Sequence, residues 1–271
     1  MVSHPHGVSL SGWALILGAS SGFGEACSLG LAEAGMNIFG VHLDRRATLP
    51  NVDRIVGEIR ARGREAVFFN VNAADEARRR EVLDAVEKTL AGRGDPGGVR
   101  VLHHSLAFGT LKPYVADQPG EAITKVQLEM TVDVMAHSLV YWAQDLVARR
   151  LMGRGGRIFA MTSAGGHKVW KTYGAVSAAK AALESHIRQL AVELAPAGIT
   201  ANAIQAGVTD TPALRKIPGN ERMIEFATAM NPGGRLTTTA DIAAALVALS
   251  LPHTQWMTGN VIRVDGAEDI I

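Results

Sequence analysis

The sequence has little of three things: cysteine, net charge and long apolar runs. Its 271 residues contain one cysteine, Cys27, which excludes a disulfide within the chain. The formal net charge is +1, so the composition does not indicate a nucleic acid or an anionic membrane as a partner. No apolar run reaches the length of a membrane span, and the first residues, MVSHPHGVSLSG, lack the pattern of a signal peptide. These absences predict a cytoplasmic location.

What the sequence does contain is a regular alternation of short apolar segments with longer segments of helical spacing. Seven segments predict strands: WALIL, NIFGVHL, AVFFNV, VRVLHH, GRIFAM, ITANAI and VIRVD. Six others predict helices: EACSLGLAEAG, VDRIVGEIRARG, DEARRREVLDAVEKTLAG, residues 125–151, residues 173–195 and ADIAAALVALS. This alternation predicts an α/β fold, a single Rossmann-type doubly wound domain over residues 1–271, with a seven-stranded parallel sheet and helices on both faces. Ligands of such sheets bind at the carboxyl ends of the strands.

Two segments between the predicted elements are rich in helix breakers. AGRGDPGGVR, residues 91–100, predicts an exposed turn. Residues 208–236 contain Pro212, Pro218, Pro232 and a Gly–Gly pair. A long segment of this kind predicts a mobile lid over the substrate.

Glycines follow the first predicted strand at a spacing typical of a nucleotide loop. In LGASSGFGEA, glycines allow a tight turn and let a pyrophosphate approach the N–H groups and the positive end of the following helix. The alternative is a glycine-rich turn that binds nothing. The position after a strand and before a helix favours a nicotinamide dinucleotide site. Its expected contacts in this loop are Gly18, Ser20, Ser21, Gly22, Phe23 and Gly24.

The end of the second predicted strand bears on which dinucleotide is bound. An acidic residue that binds the ribose hydroxyls of NAD is common at this place, but the residue here is His42. Arg45 and Arg46 follow, and arginine side chains suit the 2′-phosphate of NADP. We therefore favour NADP(H), with contacts from these three residues. In the alternative, Asp44 binds the ribose, the cofactor is NAD(H), and both arginines are simply solvated.

A tyrosine and a lysine stand seven residues apart in the segment KTYGAVSAAKAALESHIRQLAVEL. At 100° per residue, seven steps leave Tyr173 and Lys180 within about 20° of the same helix face, two turns apart. The two side chains can therefore serve one site. The alternative is that Tyr173 is a half-buried aromatic residue and Lys180 a surface lysine.

Together these motifs resemble the short-chain dehydrogenase/reductase family, over nearly the whole chain from 13 to 269. Three features make the chain similar to enoyl-acyl-carrier-protein reductases within that family. HHSLAFG, residues 103–109, is similar to their HSIxF segment. The tyrosine stands seven residues before the lysine, with Val176 at the family's usual tyrosine position, and Met135 occupies the place of the usual catalytic asparagine. Ser163 and the segment TDTPALRKIP resemble the NADPH-using type called enzyme III.

This resemblance implies a reaction and a set of residues for it. The reaction is NAD(P)H-dependent reduction of the trans-2 double bond of an enoyl thioester, as in fatty-acid biosynthesis. Tyr173 is expected to donate the proton, and Lys180 to bind the nicotinamide ribose and to lower the pKa of the tyrosine. Ser163 is a secondary catalytic candidate. Further cofactor contacts are expected from Asn70, Val71, Ser105, Leu106, Ala107, Gly207, Val208 and Thr211.

The resemblance also implies partners. The substrate is expected to be an acyl thioester carried by an acyl carrier protein, and the protein a homotetramer whose subunits meet through the helices at 125–151 and 173–195. Because acyl carrier proteins are acidic, a basic rim is expected at the substrate mouth. Its members are Lys112, Arg215, Lys216 and Arg222.

A metal site is not expected, although two histidines are adjacent in the sequence. His103 and His104 lie on a predicted strand, where neighbouring side chains point to opposite faces and do not readily bind one ion. Two other functions remain as alternatives: a reductase of the same family acting on a ketone, a 3-ketoacyl or a dienoyl thioester, and a non-catalytic sensor that binds NADP(H).

Overall fold

The computed structural model describes residues 9–92, 98–118 and 120–271. Within these residues, seven parallel strands form one sheet in the order β3-β2-β1-β4-β5-β6-β7. The strands are β1 (Trp13–Leu17), β2 (Asn37–His42), β3 (Ala66–Asn70), β4 (Val99–His104), β5 (Arg157–Ser163), β6 (Thr200–Ala206) and β7 (Val261–Val264). The predicted seven-stranded parallel sheet is confirmed, and no boundary is wrong by more than two residues.

The described residues form eight α-helices. They are α1 (Gly22–Glu33), α2 (Leu49–Ala61), α3 (Glu76–Ala91), α4 (Lys125–Val132), α5 (Ser138–Ala148), α6 (Gly174–Leu194), α7 (Asn220–Met230) and α8 (Thr239–Leu249). A π-helical turn, Asp133–His137, joins α4 to α5. The sequence interpretation missed this turn and α7. Part of the exposed turn predicted at 91–100 lies outside the described residues.

Two hydrophobic cores flank the sheet, one on each face. The strand β1 is buried at all five positions, as expected for a parallel strand covered on both sides. Leu15 contributes to a core with α3, α5 and α6, whereas Ile16 contributes to a core with α1, α2 and α8. The predicted helices on both faces are therefore confirmed.

The strand order reverses between β1 and β4, and this reversal opens a crevice at the carboxyl end of the sheet. The connection after β1 leads into α1, on one side of the sheet, whereas the segment after β4 leads towards α4 on the other side. Crevices at such a reversal are where doubly wound sheets bind their ligands. No helix among the described residues is both long and apolar enough to cross a bilayer.

Candidate active site

The glycine loop after β1 is packed so closely that two of its glycines admit no side chain. Gly18 has φ +90°, and a Cβ there would lie 2.4 Å from the carbonyl oxygen of Ser105. A Cβ on Gly24 would lie 2.0 Å from the carbonyl oxygen of Gly18. Both distances are well inside van der Waals contact, so the loop, the start of α1 and the end of β4 meet backbone to backbone. Ser21, which precedes α1, is exposed beside this loop.

Several of the residues expected to bind the dinucleotide meet around this loop. The side chain of Thr211 would lie 3.7 Å from a Cβ on Gly22, so the segment after β6 crosses the start of α1. Leu106 lies beside Gly18. The side chain of Phe23, which is partly buried, packs against the core between α1 and the sheet. Ala107 is exposed beyond the end of β4.

At the end of β2, a carboxylate rather than a guanidinium faces the glycine loop. The Asp44 Oδ2 atom lies 2.9 Å from the Nδ1 atom of buried His42. Partial burial would raise the pKa of Asp44, but the hydroxyls of Ser20 and Thr48 and the ring of His42 outweigh it, and the pKa is lowered. Asp44 is thus ionised at neutral pH and directed at the loop.

Arg45 and Arg46, which were expected at the 2′-phosphate, lie differently. Both side chains are exposed, and neither forms an ion pair with any residue that the structure describes. They are available to a ligand but are not fixed in place.

The groups of Asn70 and Val71 that were expected at the adenine are largely engaged by the protein itself. The Asn70 side chain accepts a hydrogen bond from the Asp44 amide at 2.9 Å and donates to the Asp44 carbonyl at 3.0 Å. The Val71 amide donates to the carbonyl of His42 at 2.8 Å. Asn70 therefore fixes the backbone of Asp44, a role that the sequence interpretation missed because the two residues are 26 positions apart.

Tyr173 lies at the N-terminus of α6, one residue before the helix begins. Its carbonyl accepts a hydrogen bond from the Ser177 amide at 2.9 Å. The preceding Thr172 has φ +66°, in the left-handed region that a β-branched residue rarely adopts. This sharp turn brings the Tyr173 ring back onto the end of β5. A Cβ on Gly165 would lie 2.5 Å from the ring's Cε1 atom and 3.2 Å from the Ser163 Oγ atom.

The electrostatic surroundings of Tyr173 differ from the sequence expectation. Burial raises the pKa of its hydroxyl, and the nearby Ser163 hydroxyl lowers it only in part. The expectation that Lys180 would lower this pKa is wrong for the protein alone, since burial dominates. Ser163 Oγ is itself buried and makes no hydrogen bond of ordinary distance and angle with any described residue.

Lys180 is buried on the same side of α6. Its Nζ atom donates to the carbonyl of Met161 at 2.7 Å, which occupies one of the three ammonium hydrogens. Burial lowers the pKa of Lys180 to about 8, and Glu184 acts in the opposite direction. The reading of Lys180 as a surface lysine is therefore wrong.

An apolar wall fills the position where most members of the family carry the tyrosine. Val176 is only 5% exposed. A Cβ on Gly109 would lie 3.0 Å from a methyl group of Val176 and 3.1 Å from the sulfur of Met135, which is on the π-helical turn. The side chain of Thr131 lies at the same place, 2.7 Å from a Cβ on Gly109, and its hydroxyl accepts a hydrogen bond from the Thr110 amide at 3.0 Å.

The two adjacent histidines at the end of β4 are both fully buried. Burial lowers the pKa of each to about 3, so both are neutral. His104 Nε2 lies 2.9 Å from the hydroxyl of Ser138 on α5, whereas neither ring nitrogen of His103 has a partner among the described residues. No group of three or more potential metal ligands occurs in the described part of the chain.

The expected basic rim is weaker than its residue types suggest. The guanidinium of Arg215 is paired with both oxygens of Asp210, at 2.7 and 2.9 Å, which offsets its charge. Lys112 donates to the carbonyl of Gly120 at 3.2 Å. Lys216 and Arg222 are exposed in the segment 208–236, for which a lid was predicted and which contains α7.

Two neighbouring acidic residues, Glu268 and Asp269, contact residues of the site, and the sequence interpretation missed both of them. The Glu268 carboxylate accepts hydrogen bonds from the Val208 amide at 3.0 and 3.1 Å, so this expected cofactor donor is already engaged. A Cβ on Gly207 would lie 2.9 Å from the same carboxylate. Asp269 binds His167 and Lys168, both at 3.0 Å, and so anchors the segment between Ser163 and Tyr173. No motif indicated either contact.

Comparison with known proteins identifies the family. A family model described as Enoyl-(Acyl carrier protein) reductase matches residues 18–267, and the chain belongs to this branch of the short-chain dehydrogenases/reductases. It is thus an oxidoreductase of a family that uses nicotinamide cofactors.

Individual relatives include reductases of two kinds. The enoyl-[acyl-carrier-protein] reductase [NADH] of Aquifex aeolicus is 31% identical over 178 residues, 65% of this chain and 64% of that protein. The 3-oxoacyl-[acyl-carrier-protein] reductase of Aggregatibacter actinomycetemcomitans is 29% identical over 253 residues, 93% of this chain and 97% of that protein. The crystal structure of the enoyl-[acyl-carrier-protein] reductase (NADH) from Aquifex aeolicus superposes with a TM-score of 0.82 at 24% identity, covering 96% of each chain, which shows the shared fold.

Proposed function

We propose that the protein reduces the trans-2 double bond of an enoyl thioester. The observation that carries this proposal is the position of the tyrosine: Tyr173 lies beside Ser163 at the start of α6, and buried Val176 fills the place four residues before Lys180. The family match and the enoyl reductase among the relatives support the same reaction class.

The displaced tyrosine suits the chemistry of a conjugated thioester. In a ketone, the oxygen that needs a proton is on the carbon that accepts hydride. In an enoyl thioester, hydride goes to the β-carbon and negative charge develops on the thioester oxygen, farther along the substrate. A shift of three residues along a helix moves the proton donor by about 4.5 Å and keeps it near the same face.

The residues around the crevice fit a bound nicotinamide dinucleotide. The N-terminus of α1 and the close-packed glycine loop suit a pyrophosphate. When bound, the reduced nicotinamide supplies the hydride. Lys180 retains two ammonium hydrogens for the ribose hydroxyls, because Met161 takes one. Tyr173, kept protonated by burial, donates to the substrate oxygen, and the Ser163 hydroxyl, which lies beside Tyr173, donates to the same oxygen.

A direct assay tests this function against the two alternatives. The protein is mixed with reduced cofactor and crotonyl thioester, and cofactor oxidation is followed by absorbance, with matched 3-ketoacyl and dienoyl thioesters in parallel. We expect the enoyl substrate to be reduced fastest. Faster reduction of the 3-ketoacyl or dienoyl thioester would favour another reductase of the family, and cofactor binding without turnover of any substrate would favour a sensor.

For the choice of cofactor, the geometry favours NAD(H) over the NADP(H) that the arginines suggested. The ionised carboxylate of Asp44 faces Ser20 of the glycine loop, and its backbone is held by Asn70. A carboxylate here suits the ribose hydroxyls of NAD and repels a 2′-phosphate. The Aquifex aeolicus relative is named as an NADH enzyme.

Replacing Asp44 with asparagine is expected to raise kcat/KM for NADPH relative to NADH by roughly 10- to 100-fold. This is the range for losing a hydrogen bond to a charged group, about 1.5–3 kcal/mol. Asp53→Asn, an exposed acidic residue on α2, is the matched control and should leave the ratio unchanged. An unmodified protein that prefers NADPH, and loses this preference when Arg45 and Arg46 become alanine, would contradict the role given to Asp44.

We infer that the physiological substrate is carried by an acyl carrier protein, as in the relatives that carry this substrate in their names. Lys216 and Arg222 remain as exposed cations for an acidic carrier. A tetramer is proposed as well, because Val126 on α4 and Val192 on α6, on the helices expected between subunits, are 74% and 73% exposed.

A further inference from the structure

Three consecutive residues at the end of β5 contact three polar side chains of α6 and its N-terminus. The carbonyl of Met161 accepts from Lys180, the hydroxyl of Thr162 donates to Glu184 Oε1 at 2.6 Å, and Ser163 lies beside Tyr173. The function proposed above uses the first and the third of these contacts. The second contact, between Thr162 and Glu184, has no role in it.

Glu184 is held close to Lys180 without touching it. The two residues are four positions apart on α6 and so share a face of the helix. The turn Ala164–Gly166 closes over both side chains, because a Cβ on Gly166 would lie 3.0 Å from Glu184 Oε1 and 3.6 Å from Lys180 Cβ. Thr162 orients the carboxylate, and among the described residues Glu184 makes no direct ion pair with Lys180.

We propose that Glu184 is a positioning residue of this reductase: fixed by Thr162, its carboxylate holds the buried Lys180 in its charged form against the carbonyl of Met161. This inference rests on the role that the proposed function gives to Lys180. Beside Tyr173, Lys180 and Ser163, Glu184 is then a fourth residue that serves the reaction, one that touches neither substrate nor cofactor.

The electrostatic surroundings of Lys180 give Glu184 this role. Burial lowers the pKa of Lys180 to about 8, and Glu184 is the group that opposes this. From β4, His103 and His104 are neutral at this pH. The turn after β5 has no titratable side chain, and the π-helical turn contains Asp133 and His137, of which His137 pairs with His186 at 2.9 Å.

Replacing Glu184 with glutamine removes the charge and keeps an oxygen that accepts from Thr162. Because the carboxylate raises the pKa of Lys180, its loss lowers that pKa, and Lys180 loses its proton at lower pH. We expect the alkaline limb of the kcat/KM profile for enoyl reduction, near pH 8 in the unmodified protein, to move down by about one pH unit. Activity well below the limb should be retained.

Glu193→Gln on the same helix is the matched control. Glu193 is exposed and bonds to Gln189, so the same change of charge there should leave the profile in place. If the limb stays at the same pH in Glu184→Gln, the proposed role of Glu184 is wrong.

A second measurement separates this inference from the proposed function. The Lys180 side chain is titrated directly by NMR of 13Cε-labelled lysine, with Lys180→Met identifying its signal. A titration that moves to lower pH in Glu184→Gln, in a protein that reduces no enoyl thioester, would support the inference and overturn the function. If the titration of Lys180 does not move and the protein does reduce enoyl thioesters, the inference is overturned and the proposed function stands.

Discussion

Replacing Tyr173 with phenylalanine is expected to lower kcat for enoyl reduction by about 10²- to 10⁴-fold, the range that a positioned general acid contributes. The ring itself remains, so its packing against Gly165 is kept and only the hydroxyl is lost. Cofactor affinity should change little, because Lys180 is held by Met161 and the Tyr173 side chain contacts Gly165 and Ser163. Steady-state kinetics and cofactor titration by fluorescence measure the two effects separately.

Tyr141→Phe provides the control for this substitution. Tyr141 lies on α5 beneath the guanidinium of Arg79, 5.4 Å from its ring centre, and has no place in the proposed site. This variant should turn over normally. If Tyr173→Phe also turns over normally, another group donates the proton and the enoyl assignment loses its main support.

The second large effect concerns the position of the tyrosine along α6. Combining Tyr173→Phe with Val176→Tyr restores the spacing of four residues before Lys180, and we expect enoyl reduction to stay at the level of Tyr173→Phe. The new hydroxyl starts about 4.5 Å away along the helix axis, and a misplacement of about 1 Å can already cost 10²-fold. The packing also disfavours a larger side chain at position 176, because Val176 packs against Met135 and Gly109.

A matched double variant, Tyr173→Phe with Val176→Phe, distinguishes the effect of a larger side chain at position 176 from the effect of its hydroxyl. Both double variants crowd the wall beside Met135 equally, so any difference between them reports on the hydroxyl alone. Slow reduction of a 3-ketoacyl thioester only in the tyrosine version would agree with the position argument. Enoyl reduction at the unmodified rate in that version would show that tyrosine position does not select the reaction.

The sheet and the nucleotide loop were predictable from the sequence because their signals are local. A strand such as β1, buried on both faces, is a continuous apolar run, and the glycine spacing reflects backbone contacts within a few residues. Helix α7 was missed because it lies between Pro218 and Pro232, in a segment whose helix breakers predicted a lid. The π-helical turn at Asp133–His137 has no sequence signature at all.

The parts of the site that could not be predicted depend on contacts between distant residues. Thr162 and Glu184 are 22 positions apart, and Asp44 and Asn70 are 26 apart. The sequence led us to expect a lowered pKa for Tyr173, whereas burial raises it. Burial depends on the assembled fold and so could not be predicted either. Only Glu184 had a usable local signal, because an acid four residues after a functional lysine shares its helix face.

Thr172 has a left-handed backbone conformation, and at this position thermal stability and activity are expected to favour different residues. A residue held in this region typically stores about 1–3 kcal/mol of strain, and glycine adopts the same conformation freely. Thr172→Gly therefore relieves strain in the folded state while leaving the backbone before Tyr173 free to take other directions. Selection for heat resistance alone would favour the glycine, and selection for turnover would retain the threonine. A library screened only by melting temperature would thus be expected to enrich substitutions here that loosen Tyr173, the proposed proton donor.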